Sequence, residues 1–278
     1  PFKNLNTLAF AQEVFRSFDL VTNRESVSIR LLELGGFDVS KVISLACPAF
    51  LFEPAPILEI KNIVDEIGLN KKDKPAFGFI ICGWNFLQGP FDKWPRPDED
   101  YVPFAEAVEF ITENIDARVY LMSHSNGFPI PPAPFSLLHG RDYQVVKQLE
   151  VVLKKRGISK DFCVLENVLN TWQTKAIISR FDVLVSGRVH GAVAGLSQSV
   201  PTVIIDYGHE PKAHKLKGFA IEAGVEDYVA DPTIKDDLLK KIELCWLNRI
   251  ELKARLNQRI PMVKENARRN FSLLKDLF

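Results

Sequence analysis

The sequence predicts an α/β protein built around a parallel, doubly wound sheet. Strand and helix patterns alternate from residue 76 onwards with little interruption, which is typical of successive strand–helix–strand units. The predicted strands are continuous apolar runs such as AFGFIICGW at residues 76–84, as expected where helices cover both faces of a sheet. With 278 residues, 46% of them hydrophobic, the chain can form one large domain or two of ordinary size.

Each element of this alternating region has its own signal. The helix predicted at 102–115 repeats apolar residues at helical spacing, and the helix at 142–156 begins at an acidic cap, Asp142, and stops at Gly157. Shorter helices are predicted at 171–180 and 190–198, and another runs towards Gly224. A proline-rich loop covers 125–141. Strands are predicted at 76–84, 117–124, 161–167, 181–187 and 201–207.

The two ends of the chain differ from this middle part. Residues 1–72 contain two predicted helices and one short strand (41–46), too few strands to close a sheet, and the chain opens at Pro1 inside a helical pattern. We therefore expect an incomplete N-terminal domain in a fragment or a processed form. A polar linker near residues 70–75 leads to the main domain at 73–235. Residues 236–278 are predicted to form a long amphipathic helix, broken near Pro261, that packs back on the N-terminal part or on another chain, so homo-oligomerisation stays open.

Composition excludes several classes of protein. Lysine plus arginine equals aspartate plus glutamate at 35 each, so no bulk charge attracts nucleic acid. No apolar run approaches the roughly 20 residues of a membrane-spanning helix, and no signal-peptide pattern opens the chain. The four cysteines are scattered without metal-ligand spacing, which favours a reducing, cytoplasmic setting and predicts no metal site.

The strongest candidate site is SGRVHG at residues 186–191, directly after a predicted strand. Ligands of open parallel sheets gather beyond the carboxyl ends of the strands. If the chain stays extended through Val189, the side chains of Arg188 and His190 point the same way. Arg188 suits a phosphate or carboxylate, His190 can transfer a proton, and Gly191 leaves the start of a helix open to an anion. Arg188 could instead tie helix ends together, and His190 could simply cap a helix.

A second polar cluster follows the next predicted strand. The residues DYGHEPKAHKLKG at 206–218 add five candidates, namely Tyr207, His209, Lys212, His214 and Lys215. A solvated basic loop explains His209 and His214 equally well. His124, after a neighbouring strand, is either a buried structural histidine or a ligand contact.

The region from residue 174 to 232 resembles the C-terminal half of the polysaccharide pyruvyl transferase family. The resemblance rests on the R-x-H motif at Arg188 and His190, the following small-residue helix, and a P-T-V-x-x-x-Y strand with a basic loop. Further upstream, the RE–S–L–G segment that contains Arg24, the PAF segment, and a histidine–aspartate pair at His124 and Asp142 are similar to the family's pattern. The chain departs from the family at Cys47 and Lys175, where acidic residues are usual.

The resemblance implies two Rossmann-like domains in a GT-B-like arrangement, with an acceptor-side N-terminal domain and a donor-binding C-terminal domain. It implies transfer of a pyruvyl group from phosphoenolpyruvate to two hydroxyls of a sugar, free or lipid-linked, in a surface polysaccharide or its precursor. The product is a pyruvate ketal, phosphate is released, and no cofactor or metal takes part. Arg188 and His190 are then the catalytic residues, and Lys215 or Lys212 binds the second anionic group of the donor together with Gly191, His209 and Tyr207.

Two other functions stay open. A GT-B glycosyltransferase could place the pyrophosphate of a nucleotide sugar on Arg188 and the same helix start, although only Asp206 and Glu210 are available for ribose hydroxyls. A non-catalytic relative with the same fold is favoured by Cys47, by Lys175 and by the short N-terminal part.

Overall fold

The computed structural model describes residues 4–71, 73–87, 95–207 and 215–277 of an α/β chain. The helices are α1 (Leu5–Arg16), α2 (Ser26–Leu34), α3 (Ile57–Glu66), α4 (Val102–Glu113), α5 (Arg141–Lys155), α6 (Thr171–Ile178), α7 (Val189–Leu196), α8 (Lys215–Ala223), α9 (Asp237–Leu247) and α10 (Arg249–Lys275). The strands are β1 (Val21–Asn23), β2 (Val42–Ser44), β3 (Ala76–Ile80), β4 (Arg118–Leu121), β5 (Asn126–Gly127), β6 (Leu138–His139), β7 (Phe162–Val164), β8 (Val183–Ser186), β9 (Thr202–Ile205) and β10 (Val229–Ala230).

A six-stranded parallel sheet with the strand order β10-β9-β8-β3-β4-β7 forms the centre of the fold. The chain starts in the middle at β3, moves outwards through β4 to β7, and then returns to β8 on the other side of β3. This is the doubly wound order, and the crevice at the reversal, between β3 and β8, is where such sheets bind ligands. The predicted α/β class with a parallel sheet is confirmed.

Alternating side chains of the central strands supply a core on each face of the sheet. Phe77 and Phe79 of β3 lie in the larger core, whereas Ile80 and Leu184 lie in the smaller core on the other face. The strands are therefore apolar on both faces, as the sequence indicated. Position 78 requires glycine, because a Cβ there would lie 2.3 Å from the Phe181 ring.

The N-terminal part packs against the rest of the described chain at several places. Helix α2 packs on α8, where Glu25 fills the space above Gly218 so tightly that a Cβ at Gly218 would lie 2.1 Å from its Oε2 atom. Helix α10 packs on a short 3-10 turn at Pro48–Leu51, and Asn270 Nδ2 donates a hydrogen bond to the Ala46 carbonyl at 3.0 Å. Strands β1 and β2 form a separate two-stranded parallel pair.

The predicted break near Pro261 is wrong. Helix α10 continues through Pro261, and the boundary between α9 and α10 lies at Asn248 instead. Pro261 is on the exposed face of α10, where water can bind the carbonyl that loses its helical partner. Buried residues on the opposite face, among them Leu256, Ile260 and Val263, hold the helix against the domain.

Other elements differ from the sequence prediction in length rather than in type. The strand predicted at 76–84 ends at Ile80 because the chain turns into a short 3-10 helix at Gly83–Asn85. Strand β1, helix α3, the β5–β6 hairpin and the edge strand β10 were not predicted. The four cysteines are unpaired. Within the described ranges, no helix is both long and apolar enough to cross a membrane.

Candidate active site at the switch point of the sheet

The loops after β3 and β8 lie against each other at the crevice. Asn85, 1% exposed, accepts a hydrogen bond from the Cys82 N–H at 2.9 Å, and its Nδ2 lies 3.4 Å from the Gly187 carbonyl. The same Nδ2 group donates to the carbonyls of Ile205 and Asp206 at the end of β9. A Cβ at Gly187 would lie 2.0 Å from Asn85 Oδ1, so the glycine is needed for this close approach. Asn85 therefore fixes the chain just before Arg188.

Arg188 forms a bidentate ion pair with Asp142. Its Nε donates to one carboxylate oxygen of Asp142 at 2.9 Å and its Nη2 to the other at 2.5 Å. Asp142 is 1% exposed, whereas the Arg188 side chain is 27% exposed. Burial opposes the charged guanidinium, but the hydrogen bonds and the charge of Asp142 outweigh it and raise the pKa of Arg188.

Asp142 was predicted to cap its helix, and this is wrong. The N-cap of α5 is Gly140, and the Asp142 side chain reaches across to Arg188 because an oppositely charged group lies within bonding distance. The Asp142 N–H donates to Ser125 Oγ at 3.2 Å. Arg188 thus links the starts of two helices, which is one of the alternatives that the sequence left open. Within the described residues two of its five N–H donors are bonded, and part of its side chain is exposed.

The chain does not stay extended through Val189. The prediction that an extended backbone points the side chains of Arg188 and His190 the same way is therefore wrong. Helix α7 begins at Val189, with Arg188 as its N-cap in extended conformation and His190 in its first turn. The fully buried Gly191 packs inwards, where a Cβ would lie 2.7 Å from Ser186 Oγ and 3.3 Å from the His124 ring. Packing explains the need for glycine at this position.

The side chain of His190 is exposed, and the charges of three cations act on it. Burial is the largest cause that lowers its pKa, followed by the positive charges of Arg24, Lys215 and Arg188. Arg24 precedes α2 in the N-terminal part, and its guanidinium lies 5.3 Å from the Phe219 ring centroid on α8. Residues far apart in the sequence therefore build one electropositive site around an imidazole that is neutral at pH 7.

His124 lies beneath this site. Burial lowers its pKa to about 4, against the opposing charge of Asp142 and together with the positive charges of His190 and Arg188. The structure thus brings the predicted pair His124 and Asp142 to the same place as the R-x-H motif.

Tyr207 stands at the end of β9, with its ring centroid 5.7 Å from that of Trp84. Burial raises the pKa of Tyr207, so its hydroxyl is a neutral donor at pH 7. Of the other candidates in the loop after β9, Lys215 is described above, whereas His209, Lys212 and His214 lie outside the described residues.

A cavity of about 320 Å³ adjoins His190. It lies between the Ala49–Phe52 region of the N-terminal part and the loops after β4 and β7. His190 and His124 line it, and among the described residues the cations Arg24, Arg188 and Lys215 do not. His190 therefore lines the cavity and is also within the electrostatic reach of the three cations.

Some residues of the site escaped the sequence analysis. Asn85 follows a predicted strand and could have been found by the same reasoning that found Arg188. Lys175, noted only as a departure from the family, lines the cavity, and no local signal marks Asn126 or Thr174 as its neighbours there. In the described parts of the chain, no group of three His, Cys, Asp or Glu residues is arranged to hold a metal ion.

Comparison with known proteins agrees with the resemblance noted in the sequence. The sequence model of the family described as polysaccharide pyruvyl transferase matches residues 1–209. No curated protein matches the chain.

Solved structures with a similar fold include two proteins named as transferases and one in complex with UDP. A glycosyltransferase from Rickettsia africae is 10% identical, with a TM-score of 0.58 over 99% of this chain and 68% of its own. The Anabaena protein HepE in complex with UDP is 13% identical, with a TM-score of 0.58 over 98% and 68%. A Thermobaculum terrenum O-GlcNAc transferase is 16% identical, with a TM-score of 0.52 over 94% of this chain and 44% of its own. At identities this low, the structural similarity is evidence for the fold alone. It confirms the predicted GT-B-like class.

Proposed function

Because the chain belongs to the polysaccharide pyruvyl transferase family, we propose that it transfers a pyruvyl group from phosphoenolpyruvate to two hydroxyls of a sugar. The observation that carries the proposal is the bidentate ion pair of Arg188 with Asp142, which fixes a partly exposed guanidinium at the switch point of the sheet, within a group of three cations whose charges act on His190. Phosphoenolpyruvate bears a phosphate and a carboxylate, and its charge matches this group of cations.

Donor binding is assigned to the electropositive side of His190. The exposed donors of Arg188 suit the phosphate or the carboxylate, because Asp142 already holds the guanidinium in place. Arg24 and Lys215 neutralise the remaining charge, and the start of α7 adds the positive end of a helix dipole.

The reaction requires a proton at the methylene carbon of phosphoenolpyruvate. Protonation of that carbon leaves cationic character at the neighbouring carbon, C2, which one sugar hydroxyl attacks. The bond between C2 and the phosphate oxygen then breaks, and a second hydroxyl completes the ketal. One hydroxyl proton replaces the proton that was delivered to carbon, and the other leaves with the phosphate.

His190 is the proton carrier in this scheme. Its imidazole is neutral in the free protein, because burial and the three cations lower its pKa. A bound trianion offsets those cations, so the pKa of His190 rises when the donor binds and the proton becomes available where it is used. Charge neutralisation and proton transfer suffice for this chemistry, so phosphoenolpyruvate is proposed as co-substrate without a further cofactor.

Calorimetric titration with phosphoenolpyruvate tests the donor site. Lys215→Met should weaken binding about 10-fold or more, since a charge-assisted contact is worth about 1.5–3 kcal/mol. Lys217→Met is the matched control, because Lys217 is on the same helix but exposed, and it should bind like wild type. Equal affinities of the two variants would contradict the proposed donor site.

Turnover and ligand choice complete the test. His190→Asn should bind phosphoenolpyruvate yet release no phosphate in the presence of acceptor sugars, and unchanged release would remove His190 from the mechanism. UDP- and GDP-sugars are titrated in parallel. Binding of a nucleotide sugar without binding of phosphoenolpyruvate would support the glycosyltransferase alternative instead.

A further inference from the structure

The cavity beside His190 has the mixed lining of a sugar-binding site. Phe52, Met122 and Leu165 form apolar walls against which the C–H face of a sugar ring can pack. Its volume of about 320 Å³ is at the lower end of the range for small-molecule pockets, roughly 300–1,000 Å³. A single sugar ring fits such a space better than a nucleotide does.

Polar side chains from separate loops complete the lining. Asn126 and Asn167 use their amide N–H groups on the Leu169 carbonyl and on a Glu66 oxygen, so their amide oxygens can accept hydrogen bonds from hydroxyls. Thr174 adds a hydroxyl from α6. Amides and hydroxyls of this kind match the alternating donors and acceptors of a sugar.

Lys175 is the unusual member of the lining. The residue is only 3% exposed, and its ammonium donates a hydrogen bond to the Phe52 carbonyl. Within the described ranges, no carboxylate lies within ion-pair distance of it. Burial is costly for a charge without a counter-ion, and an ammonium has three donors to satisfy.

The charges around Lys175 increase its need for an anion. Lys264 repels it, and the carboxylate of Glu53, which attracts it, is 74% exposed and lies 3.6 Å from Lys264. Burial lowers the pKa of Lys175 to about 8, which leaves the ammonium mostly charged at pH 7. A ligand carboxylate in the cavity would supply the missing negative charge.

We propose that this cavity is the acceptor subsite and that Lys175 binds the carboxylate of an acidic sugar, a uronic acid residue of the acceptor. The inference rests on the proposed function, because His190 then stands between the acceptor in the cavity and the donor on the cations. Lys175 is a specificity-determining residue in this arrangement, since it distinguishes a uronic acid from the neutral sugar of the same shape.

Ligand-observed NMR titrations of the full chain test the subsite without phosphoenolpyruvate. The probes are methyl glycosides of glucuronate, galacturonate and mannuronate, each beside its neutral parent sugar. Wild type should bind at least one uronide about 10-fold more tightly than its parent. Lys175→Met should abolish this preference, and Lys264→Met, which removes a neighbouring lysine that does not line the cavity, should retain it. Lys175→Gln replaces the methionine variant should that variant fail to fold.

The donor titration separates the two proposals. Lys175→Met should bind phosphoenolpyruvate with unchanged affinity. If Lys175→Met weakens the binding of phosphoenolpyruvate as Lys215→Met does, Lys175 binds the donor carboxylate and the acceptor assignment is overturned. It is also overturned if wild type shows no uronide preference or if Lys175→Met keeps one. A uronide preference that depends on Lys175, with no phosphoenolpyruvate binding by any variant, supports the subsite while the proposed donor fails.

Discussion

Replacement of Lys175 by methionine should change how stability depends on pH. The unfolded lysine titrates near 10.5 and the folded one near 8, because burial disfavours its charge. Between these values the unfolded state binds more protons, so wild-type stability rises with pH. At ~1.4 kcal/mol for each pKa unit, the buried charge costs about 3 kcal/mol at pH 7. Titration recovers about 2 kcal/mol of this by pH 9.5.

The methionine variant lacks this titration but leaves the Phe52 carbonyl unpartnered, which costs about 1–3 kcal/mol. The two effects offset each other at pH 7, so the pH dependence isolates the charge. Urea unfolding of both proteins at pH 7 and pH 9.5 measures it. Wild type should gain about 2 kcal/mol relative to Lys175→Met over this range. Lys217→Met is the exposed control: it retains Lys175, so its stability should rise with pH as much as that of wild type. If the two proteins differ in stability by the same amount at both pH values, burial does not lower the pKa of Lys175 and the reasoning is refuted.

Two further predictions concern His124 and Asp142, which lie beneath the site. The pKa of about 4 for His124 means that the unfolded state binds more protons between pH 6.5 and 4, so wild type should lose about 3 kcal/mol as the pH falls through this range. His124→Asn should lack that loss in urea unfolding at the two pH values. Asp142→Asn leaves the half-buried Arg188 guanidinium without its counter-ion and should cost about 2–4 kcal/mol at pH 7, measured by the same unfolding.

A surface ion pair supplies the comparison for Asp142→Asn, and wild type supplies it for His124→Asn. Asp98→Asn removes an exposed ion pair with Lys155 and should cost less than about 1 kcal/mol. A similar small cost for Asp142→Asn would show that the pair with Arg188 contributes little. Equal acid sensitivity of wild type and His124→Asn would show that His124 is not buried as a neutral ring.

Several features of the site depend on local sequence and could be predicted from it. A polar motif directly after an apolar strand marks the ligand edge of a parallel sheet, so the sequence predicts that Arg188 and His190 lie at this edge, and the structure places them there. The resemblance to the family was also readable, because its motifs are short and contiguous. The types of the elements could be predicted from periodicity. The helix break predicted at Pro261 is absent, because the exposed face of α10 tolerates a proline.

The amino-acid sequence by itself determined the α/β class, the parallel sheet and the identity of the motif. Only the tertiary structure decided how the charges pair, because pairing depends on distances between residues far apart in the chain. It paired Asp142 with Arg188 rather than with the end of its own helix. It also brought the charge of Arg24 close enough to His190 to lower the pKa of that histidine. It also buried Lys175 where no carboxylate of the described residues lies within ion-pair distance. Burial and neighbouring charge set the pKa of each group, and neither is a property of the residue alone.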